Sequence, residues 1–142
     1  MDFFNQTGKL AIGSRLRMLT DKITVDAAAI YKMFGVDLKP KWFPVFFVLS
    51  RGEAKTITSI AKEIGHSHPS VSNIIKEMVV KGLVKETKDK SDGRRNMVML
   101  SAKGKRMSDS FSEQCIDVTA AIEQITQQTR NDLWEAIEEW EN

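Results

Sequence analysis

Apolar residues recur along most of this chain at steps of three and four, with one stretch in which they alternate singly with others. Over residues 67–82, Val71, Ile74, Ile75, Met78 and Val79 fall at i, i+3, i+4, i+7 and i+8, the spacing of one buried helical face. Ser67 stands where a hydroxyl can accept a free first-turn N–H, Pro69 follows where a missing N–H costs nothing, and Gly82 closes the helix. Facing outward are His68, Ser70, Ser72, Asn73, Lys76, Glu77 and Lys81. Short hydrogen-bonding groups at the front of a helix with cations behind them suit a nucleic-acid major groove.

The same periodicity places the other elements. Residues 1–35 carry Ile12, Leu16, Leu19, Ile23, Ala27, Ile30 and Phe34 and end at Gly35, which predicts one long amphipathic helix. Gly8 and Gly13 each weaken its front by about 1 kcal/mol relative to Ala, so they mark a frayed start or a close approach by another helix. Its length favours a helix shared between two copies of the chain. Pro40 can open a short helix through residue 50, with Trp42, Val45, Phe46, Val48 and Leu49 toward the core; Pro44 leaves open whether that helix starts later. Residues 51–54 read as a turn, after which Thr56 can cap a helix carrying Ile57, Ile60, Ala61 and Ile64 and ending at Gly65. Only a tight turn fits before residue 67, which makes a helix-turn-helix.

After Gly82, residues 83–87 and 96–101 are two candidate strands, with Val98 and Leu100 alternating with Met97 and Met99. The polar, cationic loop 88–95 joins them, and Gly93 is expected to supply a positive φ at its tip. Such a hairpin beside a helix-turn-helix is a wing. Ser101 can cap a helix striped by Met107, Phe111, Cys115, Val118, Ile122 and Ile125, and Thr126 a last helix bearing Leu133, Ile137 and Trp140. The predicted fold is therefore mainly α with a small β-hairpin wing, a single domain over residues 1–142. A winged helix-turn-helix occupies 40–101, and helices in 1–36 and 102–142 carry apolar stripes that need a partner, as dimerisation helices would.

Charge sharpens this picture. Residues 1–50 hold seven Lys/Arg against four Asp/Glu, residues 51–106 thirteen against six, and residues 107–142 one against nine. A basic middle beside an acidic end points to a polyanion partner for the middle alone. With 142 residues, 42% hydrophobic and 28% charged, the chain has the composition of an ordinary soluble protein. Its longest apolar run, residues 42–49, is too short to span a membrane and contains Pro44. No secretory pattern opens the sequence, so the expected location is cytoplasmic. One cysteine, Cys115, allows no intramolecular disulfide.

The segment ITSIAKEIGHSHPSVSNIIKEMVVKGLV and the following DKSDGRRNMVMLSAKG resemble the helix-turn-helix and wing of the multiple antibiotic resistance regulator (MarR) family of bacterial transcription factors. Asp89, Asp92 and Arg94 match the family's D-x-x-D-x-R arrangement, and Leu100, Ser101 and Gly104 stand where it has Leu, Thr and Gly. The likeness covers residues 57–104; beyond them it is one of layout. It implies a homodimer joined by the terminal helices, with two winged modules reading a pseudo-palindromic operator. Asn73 stands where an Arg is common, a departure that bears on which operator bases are preferred.

Candidate contacts to double-stranded DNA follow. On the recognition helix they are Ser67, His68, Ser70, Ser72, Asn73 and Lys76: Asn73 can pair bidentately with adenine, and Lys76 can take a guanine or a phosphate. On the wing, Lys90, Arg94 and Arg95 suit the minor groove, with Asp92 expected to hold Arg94 by a charge-assisted bond. Trp42, Phe43, Phe46 and Phe47 are a candidate pocket for a small-molecule effector, with plain core as the alternative. His66 and His68 form a weak H-x-H signal without the closely spaced Cys/His ligands of a zinc site, so no metal and no cofactor are expected. Glu113 and Asp117 flank Cys115, which disfavours a reactive thiolate. No catalytic motif appears. The sequence thus reads as a dimeric DNA-binding transcriptional repressor released by a small molecule, not an enzyme. The alternatives are a winged-helix protein-interaction module, or a redox- or metal-responsive regulator on the same fold.

Overall fold

In the computed structural model, which describes residues 2–127 and 133–142, apolar periodicity and capping groups set the elements. They are α1 (Asp2–Thr7), a 3-10 turn (Gly8–Ala11), α2 (Ile12–Met33), a second 3-10 turn (Pro40–Trp42), α3 (Phe43–Ser50), β1 (Lys55–Thr56), α4 (Ile57–Ile64), α5 (His68–Val80), β2 (Val84–Lys88), β3 (Asn96–Leu100), α6 (Ala102–Thr126) and α7 (Leu133–Glu141). Two compact units result, one ending at Gly104 and the other beginning at Lys105.

In the first unit, α3 is the centre of the core. Val45, Phe46, Val48 and Leu49 are buried along it, and it packs against α4, α5 and β3. Burial of Val71, Ile74, Ile75 and Met78 on α5 contributes about 1.5–3 kcal/mol for each side chain that is fully enclosed. Pro44 lies within the first two residues of α3, and Pro40 opens the 3-10 turn before it, so neither proline removes a bond that a helix interior would need. Between α4 and α5, Gly65 adopts φ +68°, a left-handed geometry that costs a residue with a Cβ about 1–2 kcal/mol. Ser67 then caps α5, its Oγ accepting the Ser70 N–H at 3.3 Å.

The sheet is antiparallel in the order β1-β3-β2. Val84, Val98 and Leu100 form its buried face, and the register sets Val84 opposite Leu100 and Thr87 opposite Met97. The third strand, β1, has no periodicity to announce it. Its two residues pair with Val98 and Met97, and Thr56 also caps α4 by accepting the Ser59 N–H at 3.1 Å.

Three expectations are corrected. The N-terminal helix breaks: Gly8 takes φ +55° and starts a 3-10 turn, so the long continuous helix begins only at Ile12. Gly93 is not among the glycines at positive φ; the loop tip closes as a four-residue turn by the Arg95 N–H to the Asp92 carbonyl at 3.0 Å. Thr126 does not cap the last helix. It ends α6, where its hydroxyl donates back to the carbonyls of Ile122 and Glu123, a bond that a helical Thr makes readily. Residues 128–132 and the side chain of Ile125, placed on the stripe of that helix, lie outside the described residues.

In the second unit Phe111 is buried and Cys115 half-buried, whereas Val118, Ile122, Leu133, Ile137 and Trp140 are exposed. None of the 22 residues of α2 is buried, and its stripe of Ile12, Leu16, Leu19, Ile23, Ile30 and Phe34 is open. Among the described residues no helix is long and apolar enough to cross a membrane.

The entry to α6 is fastened to the exit of α5. The Ser101 N–H donates to Leu83 O at 2.9 Å, the Ser101 hydroxyl to Gly82 O, and Lys103 Nζ to Lys81 O at 2.9 Å. Ser101 Oγ in turn accepts the Gly104 N–H at 3.1 Å. Gly104 is held so tightly that a Cβ there would lie 2.1 Å from Leu83 O. The obstacle is backbone, so Gly104→Ala should destabilise the fold by about 1–3 kcal/mol or more, read as a lower urea midpoint. Wild-type stability would show that the two backbones can separate freely.

Candidate nucleic-acid interface

On α5 the residues opposite the buried face are Pro69, Asn73, Lys76 and Val80, spaced i, i+4, i+7 and i+11 and all exposed. No ion pair joins Lys76, Lys90, Arg94 or Arg95 to another described residue. Two open clefts flank the helix. One, of about 400 Å³, is lined by Thr56, Thr58, His68, Arg94, Arg95 and Asn96, so the wing arginines and the first residue of α5 share a wall. The other, of about 360 Å³, is lined by Pro40, Lys41, Pro44, His66, Ser70 and Asn73. Ser70 and Asn73 therefore turn one way and His68 the other. Ser72 is half-buried, and Ser67 is engaged as the cap.

The wing tip is stapled by its own carboxylates. Asp89 Oδ1 accepts the Ser91 N–H at 2.9 Å and the Ser91 hydroxyl at 2.8 Å, and the Asp89 N–H donates to Arg95 O at 2.9 Å. Asp92 does not take the Arg94 guanidinium as expected. Its Oδ1 accepts the Arg94 backbone N–H at 3.0 Å, because a carboxylate two residues upstream reaches an amide in a turn without extending a long side chain. Both arginine side chains stay exposed at a shaped tip.

Residues 36–95 match the sequence profile of the MarR family. That match covers under half of the chain. No curated protein sequence matches it. Solved structures of the same fold include the transcriptional repressor CouR bound to a 23-mer DNA duplex, 21% identical with TM-score 0.69 over 94% of this chain and 93% of that one. The S. aureus MepR–DNA complex is 19% identical, with TM-score 0.68 over 92% and 90%. The PcaV transcriptional regulator from Streptomyces coelicolor, in complex with its natural ligand, is 14% identical, with TM-score 0.66 over 91% and 87%.

Within this winged helix-turn-helix, two glutamates that sequence patterning had not singled out as anchors tie the two helices of the motif to the ends of α3. Glu77 accepts from Lys41 Nζ at 2.8 Å and from Trp42 Nε1 at 2.7 Å, with Lys39 Nζ at 3.7 Å. Glu63 on α4 meets Lys55 Nζ at 2.9 Å and Arg51 Nη1 at 3.0 Å. Bonds from Lys41 and Trp42 hold the Glu77 carboxyl below its ordinary range, and the bond from Lys55 does the same for Glu63. Partners 35 residues apart leave no local signal.

The aromatic candidates separate. Trp42 and Phe46 are buried, whereas the Phe43 ring packs 5.8 Å from that of Phe47, which is half exposed. His66 and His68 line different clefts and do not form a ligand pair. Burial pushes the Cys115 thiol up, away from the thiolate that a redox sensor uses.

The Ser91 N–H and hydroxyl, with Arg95 nearby, hold the Asp89 carboxyl below its ordinary range. A depressed carboxyl keeps its bonds above the unfolded value and loses them as pH falls through the lower folded value. The Ser91 amide resonance should therefore hold its position down past the ordinary Asp value of about 3.9 and shift only below it. A midpoint at or above that value would show the staple to be unformed.

Proposed function

We propose that this protein is a dimeric transcriptional repressor that reads duplex DNA. The helix 67–82 enters the major groove and the wing 88–95 the minor groove. One observation carries the proposal: the outer face of α5, with Asn73 and Lys76 exposed, lies next to a cleft shared by His68, Arg94 and Arg95, so one surface offers base readers beside free cations. The +7 excess over residues 51–106, from thirteen basic and six acidic side chains, supports the same partner. The DNA-bound CouR and MepR structures share the fold.

The open stripe of α2 supports a dimer. An apolar groove of about 320 Å³ beside Phe4, Ile12, Leu16 and Leu19 is a surface that a second copy would cover. Two recognition helices related by a two-fold axis would then lie about 34–36 Å apart, one turn of duplex. For an effector, the outward pair Phe43 and Phe47 supplies aromatic surface at the start of the core helix, and the ligand-bound PcaV structure shares the fold. An effector of this kind would act by binding the released arrangement better than the DNA-bound one.

Selection from random duplex DNA should return two related half-sites at that spacing. In salt-titrated binding, Arg94→Ala should weaken all duplexes by about tenfold and reduce the salt slope by about 1. Asn73→Ala should instead cost about 1–3 kcal/mol at one base position and leave other positions unchanged. A monomer that prefers no duplex over heparin would overturn the proposal.

A further inference from the structure

We infer that Glu77 is a positioning residue that sets the angle at which the recognition helix presents Ser70 and Asn73, and thereby controls discrimination between DNA sequences more than affinity for DNA. The inference rests on the DNA-binding function proposed above.

Ser70, Asn73 and Glu77 fall at i, i+3 and i+7, one stripe of α5. The neighbouring inward face of the helix is held by Val71, Ile74, Ile75 and Met78, with the half-buried Glu77 at its edge. Apolar burial is non-directional: it decides which side faces inward but tolerates small rotations better than a hydrogen bond does. A rotation of about 20° moves a side-chain tip about 6 Å from the helix axis by about 2 Å, enough to break a bidentate base contact.

Glu77 supplies the directional constraint. Its Oε2 accepts from Trp42 Nε1 at 2.7 Å, and the Trp42 ring is 1% exposed, so this donor is anchored in the core. Its Oε1 accepts from Lys41 Nζ at 2.8 Å. Two bonds to separate donors fix a carboxylate in orientation as well as position. Pro40 and Lys41, from the same 3-10 turn, also wall the cleft that Ser70 and Asn73 line, so the anchor and the reading groups share one reference surface. Contacts to phosphates depend on charge and survive a small rotation of the helix; contacts to base edges do not.

The test compares full-length wild type, Glu77→Gln and Glu77→Asp on two probes, the duplex selected by the wild type and a random-sequence duplex of equal length. Gln removes the charge that Lys41 meets. Asp keeps the charge but is one methylene too short to reach both donors. Both variants should bind the selected duplex about tenfold more weakly while binding the random duplex within about twofold of wild type. Retained binding to the random duplex also shows that each variant is folded.

Two results would overturn the inference: an unchanged ratio between the two probes in both variants, whether or not both affinities fall, or Asp behaving as wild type, which would make the charge alone responsible. A wild type that selects no duplex is a different outcome. It removes the DNA-binding function itself, and the inference with it.

Discussion

The burial of one side of α5 against α3 is the contact on which the rest of the molecule depends. Val71, Ile75 and Met78 are fully enclosed, as are Trp42, Val45 and Phe46 of the neighbouring segment. A helix of 13 residues that commits one face to the core has its other face defined by default. Asn73 and Lys76 are therefore outward because Val71 and Ile75 are inward. Loss of that packing would leave the outer face no direction to point.

Directional groups refine what burial only roughly sets. Glu77 ties the back of α5 to the turn before α3, and Glu63 ties α4 to the segment after it, so the two helices of the motif are held to opposite ends of one buried helix. Lys81 adds a looser link to Asp37 at 3.3 Å. Beyond α5, the carbonyls of Lys81, Gly82 and Leu83 are all taken by the start of α6. The wing follows the same principle on a smaller scale. Its two aspartates serve backbone amides and a hydroxyl, which leaves the arginine side chains to meet a partner without the loop having to order first.

The terminal helices stand in a different condition. Leu16, Leu19 and Ile23 on α2, and Leu133, Ile137 and Trp140 on α7, are exposed and fall at steps of three and four, one apolar face on each helix. In each, the sequence had built an apolar face for which its own unit provides no cover. Such a face is what the second copy in the proposed dimer would cover.

What the sequence by itself determined is whatever repeats locally. The apolar steps of three and four, the caps Thr56, Ser67 and Ser101, and the glycine after α4 were enough to place the helix-turn-helix, the hairpin and the inward faces, because each of these signals acts within one or two turns of chain. Tertiary structure alone decided the features that join distant residues. The strand β1 exists only because β3 offers it a partner, Gly104 is required only because Leu83 passes close by, and Glu77 anchors only because Trp42 lies beside it. Even Asp92 and Gly93, although local, took roles that depended on how the loop closed. A periodic pattern records which side of an element is buried; the partner that buries it, or bonds to its flank, lies too far along the chain to leave a mark in the pattern.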